Sequence, residues 1–398
     1  MGLKKLDYSL LLFVIIVSSL MAIMMQSVVF LYIDDTYNPN FYIYQVVLYL
    51  FAGFWVVKNR YVIQKDTLLK FMWAFGIICF LFSFVQLRTF NLRNVGALFF
   101  NTFIIPLAYL NGSWLGNRLS YLKDRDLYLL LLQIPAFYSM YLLYGYNSLG
   151  NWFDADAAFC VIIFFPFVFY FKREWLSVIF AIFYVAFTLT SAKRSILLFV
   201  IVCIAFFAFY IIRSRNQSRQ NVFSRLFVIL AIIAGAYFIL TNESSGLIHT
   251  QERIEGFGGI TYDNGRYDVY SIVSLAIIHS DVVPLFFGHG HSAVKRDFDI
   301  GAHNDLLEIA YDYGLIAMVL YICILLVIIK RTWRLFKHRH YLSTMRVGIC
   351  VASIIILGML NCIITSTVLE YIMFLALGCA MGLDEMQVSQ TQVKLNAK

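Results

Sequence analysis

The chain has 398 residues, of which 61% are hydrophobic and only 14% are charged, and its formal net charge is +8. Soluble domains carry about 25% charged residues, so this composition excludes a water-soluble globular protein and indicates that a bilayer surrounds most of the chain. The excess of positive charge does not indicate nucleic-acid binding, because the Lys and Arg residues lie in short clusters between apolar runs, the arrangement that sets membrane topology.

The apolar runs predict an all-α fold, a polytopic membrane bundle of about twelve transmembrane helices, because a span needs about 20 mostly apolar residues. The first run exceeds the roughly 7–15 apolar residues of a signal peptide, so we predict that it is retained as the first span. The predicted spans are Leu10–Leu31, Phe41–Val57, Leu68–Leu87, Val95–Leu110, Leu127–Tyr144, Ala157–Phe171, Leu176–Thr190, Ser195–Ile212, Leu226–Leu240, Leu306–Ile329, Val347–Ile364 and Thr367–Leu383.

These runs divide the chain into four parts. Residues 1–240 hold transmembrane helices one to nine, residues 241–305 form one long loop, residues 306–385 hold helices ten to twelve, and residues 386–398 form a cytoplasmic tail. Loops longer than about 12–15 residues usually have a function of their own, so the long loop is the first place to expect a site.

Positive charge predicts the orientation of the bundle, because cytoplasmic connections are enriched in Lys and Arg. Lys4 and Lys5 place the N-terminus in the cytoplasm, and alternate connections after it carry the cations. The cationic connections contain Lys58, Arg60, Lys65, Lys70, Arg118, Lys123, Arg125, Lys172, Arg173, Arg213, Arg215, Arg219, Arg225, Lys330, Arg331, Arg334, Lys337, Arg339 and Arg346. Both termini are therefore predicted to be cytoplasmic and the long loop to lie outside.

Four cations break this pattern, because Arg88, Arg93, Lys193 and Arg194 lie in connections that are predicted to be outside. A cation at the outer rim suits an anionic partner that is attached to the membrane. The alternative, that these are solvated loop charges, stays open. It is weaker for Arg194, which two spans flank tightly.

The long loop contains a segment with helical spacing. Between residues 265 and 279, apolar residues recur at positions 269, 272, 273, 276 and 277, which predicts a helix. Asp263 or Asn264 can cap its start, and Pro284 with two later glycines breaks the chain after it. We predict an amphipathic helix on the outer face of the membrane, with Arg266 in its first turn.

Three residues from separate outer segments suit the transfer of a glycosyl group from a lipid diphosphate. His303 can take a proton near neutral pH, and the guanidinium groups of Arg194 and Arg266 match the geometry of diphosphate oxygens. Against this interpretation, a lone histidine in a loop is more often a solvated or capping residue.

Two further groups of residues are candidates for supporting roles. Asn304 and Glu308 lie four residues apart, which places them on one side of a helix. We expect Glu308 to support that helix face rather than to bond His303 directly, unless the helix begins after residue 303. Tyr267, like Trp152 and Tyr262, could stack on a sugar ring, although Trp and Tyr also anchor proteins at membrane interfaces.

No metal or cofactor is predicted. His289 and His291 form a His-x-His pair that could bind a metal ion, but no third ligand stands at a set spacing, and Asp297 and Asp299 are too loosely placed to complete a site. The seven cysteines all lie in apolar runs and are expected to be small buried residues. Walker, GxGxxG and GxSxG motifs are missing, which leaves nucleotide-driven chemistry unsupported.

Three stretches in the second half of the chain form an ordered set of motifs. They are Thr190-Ser191-Ala192-Lys193-Arg194-Ser195, then Asn264-Gly265-Arg266 followed by Pro284-Leu285-Phe286-Phe287-Gly288-His289-Gly290, then His303-Asn304-Asp305-Leu306-Leu307-Glu308 followed by Tyr313-Gly314-Leu315-Ile316. In this order they resemble the O-antigen polymerase and O-antigen ligase superfamily. The resemblance covers about residues 185–330 by motif and the whole chain by its pattern of spans.

The resemblance implies a metal-independent, inverting glycosyltransferase with a membrane-embedded, GT-C-like architecture and no cofactor. By the same resemblance, His303 would be the general base, and Arg194 and Arg266 would hold the diphosphate. Three sequence details depart from the family pattern. Lys193 stands where a small or hydroxyl residue is common. Ala317 replaces a second glycine, and the glycine that follows an arginine at a fixed offset in some polymerases is missing after both arginines.

The remaining residues of the predicted site are contacts and supports, and most of them come from charge pattern, spacing and residue type rather than from the resemblance. Lys193 and Arg88 would add diphosphate contacts, and Gly265, Tyr267, Asn304 and Glu308 would support the site. The substrates would be undecaprenyl-diphosphate-linked oligosaccharides, as donor and acceptor, at the periplasmic face of the bacterial cytoplasmic membrane. The pathway would be lipopolysaccharide biosynthesis, and a chain-length regulator protein would be a further partner.

We therefore predict a polysaccharide polymerase, and two alternatives stay open. The first is the ligase of the same superfamily, which moves finished glycan onto lipid A core. The second is of a different class, a flippase for lipid-linked sugars. A flippase should carry ionisable residues inside its spans, whereas this chain collects charge at the outer rim.

Overall fold

In this computed structural model the described part of the chain consists of helices and the turns that join them and contains no strand. The residues described are 8–34, 46–47, 50, 66–87, 92–147, 158–190, 194–213, 266–299, 301–361 and 367–396. Within these ranges only the backbone is described at residues 24, 27–34, 92–94, 145–147, 189–190, 194, 266–267, 361, 367 and 385–396.

Fifteen helices occupy the described ranges, and their bounds follow. They are α1 (Tyr8–Asp34), α2 (Thr67–Val85), α3 (Leu92–Tyr121), α4 (Arg125–Asn147), α5 (Phe159–Ile162), α6 (Phe165–Val168), α7 (Glu174–Thr190), α8 (Arg194–Arg213), α9 (Arg266–Ile278), α10 (Val282–Phe287), α11 (Ala293–Phe298), α12 (Asp305–Asp312), α13 (Gly314–Lys337), α14 (Tyr341–Asn361) and α15 (Thr367–Asn396).

Six helices of the described part are long and apolar enough to cross a membrane, which makes this a multi-pass membrane protein. They are α2, α3 from Val95 onward, α4 to Tyr144, α8 from Ser195 onward, α13 and α14 to Leu360. Helices also form at three other predicted spans, as α1, α7 and α15. The predicted total of about twelve is not confirmed. Of the predicted span 41–57 only residues 46–47 and 50 are described, and the predicted span 226–240 lies outside the described ranges.

Two predicted spans differ from the structure. The span 157–171 is not one helix but the two single turns α5 and α6, and every residue from Ala158 to Phe171 is buried. Pro166 lies in the first turn of α6, where it lacks the N–H that would continue the helix from α5. A run buried on all sides is as apolar as a run that faces lipid, so composition could not tell the two apart.

The tenth span begins at Gly314, not at Leu306. Residues 305–312 form the separate helix α12, and the chain turns at Tyr313 before α13 starts. Gly314 has a φ of 83°, a conformation that glycine adopts without steric cost. The segment before the turn therefore belongs to the long-loop region and not to the span.

Helix α15 is the centre of the bundle, and its residues from Val368 to Leu383 are buried. Its main neighbour is α3, and the two helices meet through glycines spaced four residues apart on each side. Gly112 and Gly116 of α3 lie against the backbone of α15, and Gly378 and Gly382 of α15 lie against the backbone of α3. Small residues at this spacing let two membrane helices approach to backbone contact.

The helices alternate in direction, so cations collect at one end of the bundle. Lys70 lies in the first turn of α2, Arg118 in the last turn of α3, Arg213 in the last turn of α8, and Arg334 near the end of α13. The opposite end carries residues 266–312, which we call the loop unit.

The loop unit has a small core of its own and stands on the ends of α2 and α3. Its core is built from residues of α9, α11 and α12 and of the turn before α12, namely Val273, Ala293, Val294, Ala302 and Tyr311, with Val269, Ala276, Ile277, Phe298 and Leu307 packed around them. The Gln86 amide at the end of α2 donates to the Gly288 carbonyl over 2.7 Å, and the rings of Phe82 and Phe287 meet at 4.6 Å.

Candidate active site

His303 lies in the turn between α11 and α12, in a conformation that few residues adopt. Its φ is 51°, in the left-handed region where His, Asn and Asp are found more often than other non-glycine residues. The Tyr270 hydroxyl on α9 donates to the His303 carbonyl over 3.2 Å. Non-glycine residues in this region are held by their surroundings and cluster at functional sites.

Asn304 and Glu308 hold the chain on the two sides of His303. Asn304 is the N-cap of α12, and its Oδ1 accepts hydrogen bonds from Leu306 N at 3.0 Å and Leu307 N at 3.2 Å. Glu308, which is buried, accepts a hydrogen bond from Ala302 N at 2.8 Å. The helix therefore begins after residue 303, and Glu308 reaches back to the backbone that precedes the histidine.

Helix α12 has one acidic face that sequence reasoning did not identify as a unit. Asp305, Glu308 and Asp312 are each at most 2% exposed and follow the helical spacing of three and four residues. The Tyr321 hydroxyl donates to Asp305 over 3.3 Å, and Val294 N donates to Asp312 over 2.9 Å. The spacing itself was the available signal, but it was hidden because this segment was counted as part of a span.

Burial, and after it the nearby Glu308 carboxylate, raises the pKa of Asp312 well above the ordinary value for aspartic acid. Backbone N–H groups of residues 292–294 act in the opposite direction by bonding the charged form. Asp312 thus binds the start of α11, while Glu308 binds the chain just before His303. Helix α12 positions both halves of the loop unit.

The two histidines of the His-x-His pair point to different partners. The His289 ring stacks on Tyr311 at 4.3 Å, and its Nε2 lies 2.9 Å from the Ser280 hydroxyl. His291 Nε2 lies 2.7 Å from the Asn101 amide, and its Nδ1 lies 2.6 Å from the Tyr313 hydroxyl. Within the described ranges no group of three His, Cys, Asp or Glu residues is placed to hold a metal ion.

His291 links the loop unit to the bundle as a neutral side chain. Asn101 Nδ2 can only donate, so Nε2 of His291 accepts and Nδ1 donates to Tyr313. Burial lowers the pKa of His291 from 6.5 to about 4, because desolvation disfavours the imidazolium ion. The ring is therefore neutral at physiological pH, in the state that this pair of hydrogen bonds requires.

This arrangement predicts that acid weakens the fold through His291. The unfolded state takes up its proton near pH 6.5 and the folded state only near pH 4, so the stabilisation is complete above about pH 7 and falls as the pH drops through that window. The loss is at most about 3.5 kcal/mol, since one pKa unit is worth about 1.4 kcal/mol. Thermal unfolding midpoints in detergent, measured from pH 7 to pH 4, should fall more steeply for the wild-type chain than for His291→Asn. Parallel slopes for the wild-type chain and His291→Asn would contradict the prediction.

Arg194 is the first residue of α8, at the same end of the bundle as His303. Helices α8 and α14 are antiparallel neighbours, because Phe206 contacts Gly348 and the rings of Phe209 and Tyr341 meet at 6.0 Å. Position 194 lies twelve residues before position 206, and position 360 lies twelve residues after position 348. The rise along the helix axis is the same for both intervals. The start of α8 is therefore level with Met359, whose carbonyl accepts a hydrogen bond from the Asn304 amide over 3.2 Å.

Arg266 is the first residue of α9, one helical turn before Tyr270, whose hydroxyl bonds the His303 carbonyl. Residues four apart lie on one side of a helix, so the backbone of Arg266 lies near the His303 turn. The structure describes only the backbone of Arg194, Arg266 and Tyr267. Lys193, Arg88 and Gly265 lie outside the described residues altogether.

The N-terminal end of α8, the first turn of α9 and the His303 turn thus lie at one end of the bundle, opposite the cation clusters. An imidazole at such a turn can accept a proton from a hydroxyl group. The first residues of α8 and α9 are arginines, whose guanidinium groups stay charged at physiological pH. The set is suited to a reaction in which a hydroxyl group loses a proton and an anionic group leaves.

The family model of the O-antigen ligases matches residues 176–322, a segment that runs from α7 into α13 and includes the whole loop unit. It contains every predicted site residue except Arg88. The match confirms the resemblance to the O-antigen polymerase and ligase superfamily, whose members are glycosyltransferase-like enzymes. No curated protein sequence matches the chain.

Proposed function

We propose that this chain is a polysaccharide polymerase of the O-antigen class. It transfers a growing glycan from undecaprenyl diphosphate to an incoming repeat unit that is itself linked to undecaprenyl diphosphate. The reaction takes place at the periplasmic face of the bacterial cytoplasmic membrane, since the loop unit lies at the end of the bundle opposite the Lys and Arg clusters and cytoplasmic ends carry such clusters. No metal ion takes part.

The observation that carries this proposal is that three separate chain segments reach the same end of the bundle. The start of α8, the start of α9 and the His303 turn share one end of the bundle, although they are up to about 110 positions apart in the sequence. Two hydrogen bonds connect them to their surroundings, from Tyr270 to the His303 carbonyl and from Asn304 to the Met359 carbonyl.

In the proposed reaction, a hydroxyl oxygen of the acceptor sugar attacks the anomeric carbon of the donor glycan. A bond forms between this oxygen and carbon, and the bond from the carbon to the diphosphate oxygen breaks with inversion. His303 takes the proton of the hydroxyl group as general base. Undecaprenyl diphosphate leaves with the bonding electron pair, and Arg194 and Arg266 stabilise the charge that builds on it.

Glu308 and Asn304 act as positioning residues in this proposal. They hydrogen-bond Ala302 and the start of α12. In this proposal they thereby set the direction in which the His303 side chain leaves the backbone. Lys193 and Arg88 add positive charge for the diphosphate, and Tyr267 offers a ring for a sugar. A chain-length regulator protein is a proposed partner.

A ligase is the second candidate, and the specific observation in its favour is that the matching family model is that of O-antigen ligases. The match covers the machinery that both activities share and does not distinguish them. It favours an enzyme over a flippase.

A single assay separates the two enzymes. The purified chain in liposomes receives lipid-linked repeat units alone, and the products are resolved by length and by mass. We expect longer lipid-linked glycans in the absence of lipid A core. A product that forms only after lipid A core is added, and is attached to it, would replace the polymerase with the ligase. No glycan transfer under either condition would reject both.

A further inference from the structure

Helices α9 and α10 expose an apolar surface on the outside of the loop unit. A helix forms at the residues where an amphipathic one was predicted, but α9 is apolar on two sides. Its inner side, with Val273, packs into the core of the loop unit. Its outer side continues over α10 as a patch of large exposed hydrophobic residues, which we call the apolar face: Ile272, Leu275, Ile278, Val282, Val283, Phe286 and Phe287.

The apolar face is too hydrophobic for a surface that meets water. Ile278 and Val282 are each 71% exposed and Val283 is 64% exposed. Soluble proteins rarely expose large contiguous apolar patches, and those that do use them to bind a protein or a membrane. Between Val269 and Phe287 the only charged residue is Asp281, in the turn that joins the two helices.

The apolar face is continuous with a surface that must meet lipid. Phe287, at the end of the apolar face, contacts Phe82 of α2 with ring centroids 4.6 Å apart. Along α2 the neighbouring residues Ile77, Leu81 and Val85 are exposed by 45%, 51% and 81%. Because α2 is one of the six helices that can cross a membrane, this stripe faces acyl chains, and the layer that covers Val85 reaches the apolar face.

We propose that the apolar face of α9 and α10 inserts into the acyl-chain region of the outer leaflet. Interfacial helices bury their apolar side about 5–10 Å below the headgroups, and no other occupant is required to cover the patch. Tyr270 on the same α9 bonds the His303 carbonyl, so insertion fixes the depth of the His303 turn. That this places the histidine at the level of a lipid diphosphate rests on the proposed function, whereas the lipid contact does not.

Spin-label accessibility in liposomes tests the insertion without any activity assay. Leu275→Cys and Val283→Cys report on the apolar face, Leu81→Cys is the lipid reference, and Lys295→Cys on the exposed surface of α11 is the water reference. The wild-type chain is the labelling blank, since five of its six described cysteines are buried and Cys323 is half-buried. Each label is relaxed with oxygen, which concentrates in lipid, and with a water-soluble nickel chelate.

We expect the ratio of oxygen to nickel accessibility at positions 275 and 283 to match that at position 81 and to exceed that at position 295 severalfold. A ratio equal to that at position 295 would overturn the proposal, because the face would then be in water. Low accessibility to both reagents would overturn it as well, because another part of the chain or a second copy would cover the face. Dipolar broadening between labels would identify the second copy.

Discussion

Replacement of His303 by asparagine is expected to abolish glycan elongation while the protein keeps its fold. Removal of a general base lowers the rate by about 10²–10⁴-fold. Asparagine is chosen because the backbone at position 303 has a φ of 51°, and asparagine tolerates the left-handed region better than other residues without proton-transfer chemistry. The amide cannot take a proton from a sugar hydroxyl. The variant therefore removes the chemistry and leaves the turn.

Two further variants separate chemistry from backbone strain in the same elongation assay. His303→Ala also removes the base, but it places an unfavourable residue in the left-handed turn, so its unfolding midpoint should be lower than that of His303→Asn. His279→Asn changes an exposed histidine outside the candidate site and should retain full activity. Normal elongation by His303→Asn with an unchanged unfolding midpoint would rule out the general-base role.

The positions of the helices were largely predictable from hydrophobicity. A long apolar segment lies in lipid, where its backbone N–H and C=O groups can hydrogen-bond only within the segment, so it forms a helix. The spans at α2, α4 and α8 are within a few residues of their predicted bounds. The run 157–171 was not predictable in the same way. Hydropathy cannot distinguish a segment buried among helices from one facing lipid, and only Pro166 indicated a break.

The candidate site was predictable only in its local part. The motif from His303 to Glu308 carries a cap, a turn and a helix start in consecutive residues, and the structure uses them in those roles. Partners supplied from distant segments were missed, because contacts such as Gln86 with Gly288 and Asn101 with His291 join residues about 200 positions apart. A single sequence has no periodic signal for such pairs.

The glycines of the central helix pair were also missed, although each pair has a fixed spacing. Gly112 and Gly116 match the small-xxx-small pattern of close-packed membrane helices, as do Gly378 and Gly382. Hydropathy treats glycine as a neutral residue within an apolar run. The contact between α3 and α15 therefore emerges only when both helices are seen together.

Replacement of Gly116 by leucine is expected to prevent α3 from packing on α15, so that little folded protein is recovered. A Cβ atom at position 116 would lie within 3 Å of the Cys379 Cα and overlap the peptide carbonyl next to it, and backbone atoms at a helix contact cannot rotate away as a side chain can. Gly116→Ala is the smallest such change. It should destabilise the protein by about 1–3 kcal/mol, the usual cost of overpacking.

Gly96 provides the matched control, because it lies on the same helix α3 and a Cβ there meets no atom within 4 Å. Gly96→Ala should therefore be neutral or stabilise the protein by about 0.5–1 kcal/mol, through the better helix propensity of alanine. Helix propensity alone would change the stability in the same direction at positions 96 and 116, so stability changes of opposite sign would show that packing causes the difference.

Unfolding midpoints in detergent measure the stability of both alanine variants. Similar midpoints for the two variants would mean that α3 and α15 do not pack backbone to backbone. Because Asn111 of α3 also donates to the Tyr371 hydroxyl of α15 over 2.8 Å, a separation of the two helices at Gly116 should break that buried hydrogen bond as well, which makes loss of the whole pair more favourable than local adjustment.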